Sequence, residues 1–330
     1  MLTGTLFALA AGLTWGLVFV APLMLADYPA LLLSFARYLA YGLLALPLAA
    51  LDRAGLAQLT RADWLEALKL SLVGNLLYYL FLAASIQRAG GPLPTMIIGT
   101  LPVVIAVVSN LRGGGLGAGA RRLPWARLAP SLVLIGAGIG CVNVAELRRL
   151  ADDPQADLGR YALGALLALG AVACWTWYPI RNADWLRRHA DRSPRAWATA
   201  QGLVTLPPAA LGFALFWGVA EAAGSAFPMP LGPQPALFVG LMFAIGLFAS
   251  WLGTLCWNEA SQRLPTTLAG QLIVFETLAA LAYAQLQRGA WPDGFSLLGA
   301  ALLVAGVVWA VREVGAAAAR EPDPPEAAAP

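Results

Sequence analysis

Along this chain, long apolar stretches alternate with short polar punctuation. Ten apolar runs can be marked, over positions 3–25, 30–50, 66–86, 91–111, 128–147, 160–181, 196–219, 235–258, 264–286 and 294–313. Each is close to the ~20 residues a helix needs to cross bilayer hydrocarbon. The period-two alternation of a half-buried strand is absent from them. A backbone surrounded by lipid must satisfy its own N–H and C=O groups, so only helices or closed barrels span a membrane, and unbroken apolar runs specify helices. The joining segments are short, apart from modest basic loops near Arg121 and Arg187, which leaves no room for a soluble catalytic or nucleotide-binding domain. The pattern predicts an all-α integral membrane protein of ten transmembrane helices.

The pattern is also written twice. Residues 4–20 read GTLFALAAGLTWGLVFV and residues 164–180 read GALLALGAVACWTWYPI, so that Gly4, Leu6, Ala8, Leu9, Ala11 and Trp15 match Gly164, Leu166, Ala168, Leu169, Ala171 and Trp175. A second match pairs LPTM at 93–96 with LPTT at 264–267, followed by Gly99, Leu101 and Val103 against Gly270, Leu272 and Val274. Matches in the same order, at offsets of 160 and 171, point to a duplicated unit. Each unit holds five spans. An odd number forces the second copy to enter the membrane from the opposite face, which makes an inverted repeat about a pseudo-two-fold axis in the membrane plane. Exchange of conformation between two such halves is the physical basis of alternating access. The units are read as residues 1–150 and 158–314, followed by a disordered cytoplasmic tail over 315–330, rich in Ala, Pro and acid.

Composition agrees with lipid as the solvent: 59% of residues are hydrophobic and 12% charged, too little charge to clothe a soluble globule. The first run lacks the basic start of a secretory signal, and its match to the sixth argues that it is retained. Cytoplasmic termini place fifteen Lys and Arg residues on the inner side and five, Arg88, Arg148, Arg149, Arg160 and Arg288, on the outer side. That asymmetry follows the positive-inside rule and predicts a multi-pass protein with cytoplasmic N and C termini. The net charge of +3 arises from these loops and implies no nucleic-acid partner. Cys141, Cys174 and Cys256 lie in apolar runs without metal-ligand spacing, and the lone His189 lies in a basic loop. No metal, cofactor or catalytic triad is expected.

Several features together resemble the drug/metabolite transporter (DMT) superfamily, EamA type. They are the ten-helix duplication, the early Trp in the first helix of each half, Arg37 in the second helix, the helix carrying Pro102, and the run LAGQLIVFET at 268–277. Within it, LPTTLAGQLIVFET is most similar to the YddG-like exporters of aromatic and other amino acids. The resemblance covers residues 1–314. It implies an inner-membrane exporter with a central cavity between the halves, lined by the first four helices of each, with the fifth peripheral. Cargo across the superfamily includes sugar phosphates, nucleotide sugars and purines.

The candidate substrate-binding residues are Trp15, Asn75, Tyr78, Tyr79, Trp175, Tyr178 and Gln271. Asn75, Tyr78 and Tyr79 stand at i, i+3 and i+4 and share a helical face. Trp15 and Trp175 lie too deep in their runs to be headgroup anchors and, as repeated residues, are expected to face each other, with Trp177 and Tyr178 extending the aromatic set. Such a wall suits aromatic or apolar solutes and attracts an ammonium through cation–π contact. Amides at Asn75, Gln271 and Asn258 could hold a cargo's ammonium and carboxylate without fixed charge. Arg37, Glu276 and, nearer an edge, Glu259 are the ionisable groups in hydrocarbon, each at a cost of about 2.5–3.5 kcal/mol on insertion scales. Arg37 either binds an anionic cargo group or ties helices together; Glu276 either couples transport to protons or partners Arg37. Pro94, Pro102 and Pro265 are candidate hinges or helix starts. Small residues at 135–140 and 299–306 allow close helix approach, either between the halves or in a dimer; a monomer is favoured.

The expected function is a carrier that exports aromatic and other neutral amino acids by alternating access, with a small-molecule cargo and the bilayer as partners. The alternatives are a carrier for another metabolite or a drug-like aromatic cation (nucleoside, purine, methyl-viologen-like) and a non-transporting membrane scaffold. An enzyme would need a nucleophile, metal cluster or paired acids, and no such constellation is present.

Overall fold

The computed structural model describes residues 2–90, 92–112, 124–151, 157–289, 291 and 294–318, and within them every regular element is helical. Arg121, Arg122 and the tail beyond Ala318 lie outside the described residues. Among the described residues, six helices are long and apolar enough to cross a membrane: Leu2–Met24, Ala30–Leu51, Arg61–Ala89, Gly159–Arg188, Pro194–Ala222 and Pro235–Arg263. Four shorter apolar helices, Leu101–Leu111, Trp125–Cys141, Leu268–Tyr283 and Gly294–Ala310, complete the set. In chain order the ten spans run three long and two short, then three long and two short again. The protein is an all-α membrane protein of two inverted five-helix repeats.

Helix starts follow local chemistry. Thr60 caps the third span in a capping box with Asp63, and the side chains of Asp157 and Ser193 accept from the backbone N–H groups of Arg160 and Ala196 at the sixth and seventh. Each satisfies a donor that the first helical turn leaves unpaired. The fourth and ninth runs, read from sequence as single helices, are each broken. The fourth divides into Pro92–Ile98 and Leu101–Leu111, and the ninth into Thr266–Leu272 and Val274–Arg288. Pro102 has no N–H to return to the carbonyl four residues back, which explains the first break. At the second, Ile273 N donates to Gly270 O and Glu276 N to Ile273 O, so the chain tightens through a three-residue turn without a proline. Pro94, Pro265 and Pro102 all sit at the beginnings of these pieces.

Packing follows the inverted pseudo-symmetry. The second span lies on the seventh, the fourth on the ninth and the fifth on the tenth, whereas the first crosses to the eighth and ninth and the sixth crosses to the third and fourth. The small-residue stretches serve the fifth-to-tenth contact between halves: a Cβ on Gly138 would lie 2.8 Å from the Gly299 carbonyl, and one on Gly306 would lie 2.7 Å from Ile135.

The third and eighth spans are wound alike at mid-length. Ser71–Leu77 and Gly246–Leu252 are both seven-residue π-helical turns inside otherwise α-helical spans. Such turns cost helical regularity and often mark functional positions, because the widened turn re-aims its side chains. Gly74, inside the first, admits the Tyr178 ring so closely that an added Cβ would stand 2.2 Å from Cδ2. The ring cannot retreat, since its hydroxyl is tied to Gln201 at 2.8 Å. Gly74→Ala is therefore expected to destabilise the protein by about 1–3 kcal/mol through overpacking, read as a lower midpoint in detergent unfolding; an unchanged midpoint would mean that Tyr178 has room to move.

Candidate substrate cavity

Between the two halves, the first, second, third, sixth, eighth and ninth spans enclose one polar space. Its lining includes Trp15 and Val18, Arg37 and Tyr38, Asn75 and Tyr78, Trp175, the eighth-span residues Ala249, Ser250 and Thr254, and Glu276. The two repeated tryptophans meet there, with ring centroids 4.9 Å apart and planes at 81°, an edge-to-face contact. Tyr78 stacks on Trp175 at 4.7 Å, and Tyr178 stacks on its other side at 4.9 Å with planes 7° apart. Trp175 is thus fixed on three sides by rings, the geometry that aromatic quadrupoles favour.

The π turns supply the polar part of the wall. Asn75 is the fifth residue of one turn and Ser250 the fifth of the other, so the inverted repeat presents an amide and a hydroxyl at equivalent places. The halves then diverge by one residue. Tyr78 follows the first turn and covers Trp175, whereas Gly253 follows the second and leaves room for Trp15, whose Nε1 would be 2.6 Å from a Cβ there. A near-symmetric shell therefore encloses an asymmetric cavity.

Arg37 and Glu276 both line this space, yet among the described residues no ion pair joins them. Arg37 Nε donates to Ser250 Oγ at 3.1 Å, and its guanidinium lies 4.3 Å from the Tyr79 ring centroid and 4.9 Å from that of Tyr38. Cation–π contacts of this kind are worth more when desolvated, and Arg37 is only 4% exposed. Glu276 meets the Tyr78 hydroxyl through Oε1 at 3.5 Å, a long contact. Four lining residues each keep a buried polar atom without a partner: Arg37 Nη1, Asn75 Nδ2, Trp175 Nε1 and Glu276 Oε2. Buried polar groups are normally paired, so their convergence on one space marks a site.

The cavity is small and closed. Its volume is ≈ 10 Å³, about one water position. At one end Arg181 binds the Glu66 carboxylate through two nitrogens and Trp185 Nε1 donates to Asp63 Oδ1 at 2.9 Å. At the other, Tyr28 stacks on Phe238, donates to Leu231 O at 3.0 Å and accepts from Gln234 N at 2.8 Å. Both closures tie one half to the other.

Not every candidate residue reaches the cavity. Gln271 donates to Ser131 Oγ at 3.1 Å and so holds the ninth span to the fifth. Asn258 accepts from Asn182 at 2.8 Å. Tyr79 lies beneath the Arg37 guanidinium and Tyr178 behind Trp175, so both support the wall without forming it. The amides expected to hold cargo are thus mostly engaged in helix packing, and the guanidinium of Arg37 and the carboxyl of Glu276 line the cavity instead. Ser250, Thr254 and Tyr38 went unrecognised in the sequence. Aligning the third span with the eighth would have pointed to Ser250 as the counterpart of Asn75.

Residues 2–114 match the EamA-like transporter family. The inner membrane protein YtfF of Escherichia coli (strain K12) is 53% identical over 318 residues, which cover 94% of this chain and 96% of that protein. The chain belongs to the EamA-like transporter family. A solved crystal structure superposes with a TM-score of 0.64 over 94% of this chain and 97% of its own, at 18% identity, and so shares the fold. This EamA-like protein is a membrane transporter of the DMT superfamily, and its similarity to the inner membrane protein YtfF does not single out the YddG-like exporters. Its cavity departs from the lining that the superfamily implies, because the fourth and seventh spans are absent from it among the described residues.

Proposed function

We propose that this EamA-like transporter exports amino acids, aromatic and other neutral ones, across the inner membrane by alternating access. The observation that supports this most is the union, in one cavity between the halves, of an aromatic wall with unpaired groups of both charge signs. Trp15, Trp175 and Tyr78 offer rings to an apolar side chain, while Arg37, Asn75 and Glu276 offer groups to a carboxylate and an ammonium. The repeat supports the transport cycle: the Arg181–Glu66 and Tyr28–Gln234 closures lie at opposite ends, so release of one while the other holds opens the cavity to one face. The excess of Lys and Arg in the loops supports cytoplasmic N and C termini, and the similarity to an inner membrane protein supports the location.

The test is counterflow in liposomes containing the purified protein. Labelled phenylalanine or leucine is expected to accumulate against an internal store of the same amino acid. Flux of nucleosides or aromatic cations, with none of amino acids, would transfer the assignment to the rival cargo class. Both amino acids failing to cross, in protein that unfolds cooperatively, would remove the amino-acid reading.

A further inference from the structure

The charged groups of the cavity have a specific arrangement that an aromatic wall does not require. Arg37 and Glu276 are 4% and 1% exposed, carry opposite formal charges, line the same space and do not pair with one another. Each is instead held from one side. Arg37 is fixed by Ser250 and by the rings of Tyr38 and Tyr79, which leaves Nη1 open; Glu276 touches the Tyr78 hydroxyl with Oε1, which leaves Oε2 open. Removing one partner of a buried ion pair is costly because it strands the other charge. Two buried groups of opposite formal charge that line one space, each fixed by other partners, form a receptor with two poles.

Resting on the reading of this space as the cargo site, we propose that Arg37 and Glu276 are its two charge poles. The Arg37 guanidinium, with Asn75 Nδ2 of the same lining, takes the α-carboxylate of the cargo. The Glu276 carboxyl takes the α-ammonium, with the rings of Trp15 and Tyr78 adding cation–π attraction. A cargo bearing both groups satisfies the open atoms of Arg37, Asn75 and Glu276, whereas one bearing a single charge leaves the opposite pole unpaired. A site built around buried polar groups rejects an analogue that lacks the matching group by much more than an apolar pocket rejects a missing methylene. Both groups are therefore required of the cargo.

The experiment compares phenylalanine with phenylalaninamide, which keeps only the cation, and N-acetylphenylalanine, which keeps only the anion, as labelled substrates in proteoliposomes. Wild-type protein is expected to carry phenylalanine at least tenfold faster than either analogue. Arg37→Gln is expected to narrow the gap for phenylalaninamide alone, and Glu276→Gln the gap for N-acetylphenylalanine alone. A merely structural role for either side chain lowers all three rates together. Equal wild-type flux of phenylalanine and of either analogue would overturn the two poles while leaving amino-acid export intact. Failure of all three substrates in folded wild-type protein, together with leucine, would overturn both. The wild-type comparison needs no variant, so it decides even if a substituted protein fails to fold.

Discussion

Trp175→Ala is expected to abolish cargo flux and to remove about 3–5 kcal/mol of stability, the range for truncating a buried aromatic residue to alanine. The ring is 5% exposed and touches Trp15, Tyr78 and Tyr178. Its removal merges a cavity of one water position with a hole the size of an indole, and surrounding rings tied elsewhere cannot collapse into it. Tyr178 is held by Gln201, and Trp15 is wedged between Gly253 and Trp257. Trp175→Phe keeps most of the stacking and is expected to recover most of the stability, while its flux reports how much the Nε1 donor contributes. Unfolding midpoints in detergent and counterflow rates separate the two effects. Flux within threefold of wild type in Trp175→Ala would show that the cargo path runs elsewhere.

Asn182→Leu is the second large change, at a residue outside the cavity lining. Asn182 is fully buried and joins three spans: its carbonyl oxygen accepts from Trp197 Nε1 at 2.8 Å and Gln201 Nε2 at 3.2 Å, and its amide donates to Asn258 Oδ1 at 2.8 Å. Single interhelical hydrogen bonds in bilayers average ~0.6 kcal/mol and reach ~1.7. Here one replacement strands three groups at once, and a buried group left unpaired costs about 1–3 kcal/mol. A loss of about 2–4 kcal/mol is expected. The effect should reach the cavity wall, because Gln201 also anchors the Tyr178 hydroxyl. Asn258→Ala removes one of the three bonds together with the Asn258 Nδ2 bond to Pro194 O, leaves Trp197 and Gln201 paired, and should cost less. Equal losses for the two variants would show that the network is not organised around Asn182.

The membrane architecture was legible because it rests on local quantities. Run length, continuous apolarity and helix-start residues such as Thr60, Ser193 and Pro194 act within a turn or two, and the described spans agree with the marked runs apart from the breaks in the fourth and ninth. Trp15 and Trp175 were legible for a different reason: duplication marked them, and inverted symmetry brings repeated positions near the axis into contact. The π turns were not legible. No residue type demands them. Because Asn75 lies inside such a turn, its relation to Tyr78 and Tyr79 differs from that on a regular helix. Tyr78 lines the cavity, while Tyr79 turns away beneath Arg37.

The sequence by itself determined the solvent, the span count, the duplication and its inversion, since an odd number of apolar runs per unit has only one consequence for topology. It also located the buried charges. Only the tertiary structure decided what those charges do, because a charge's role depends on which atoms lie within a few ångströms of it across the chain. Gln271 and Asn258 look like cargo ligands in sequence and serve as interhelical bonds in the fold. Arg37 and Glu276 look like a pair, and side chains from the second, third and eighth spans hold them open toward one space.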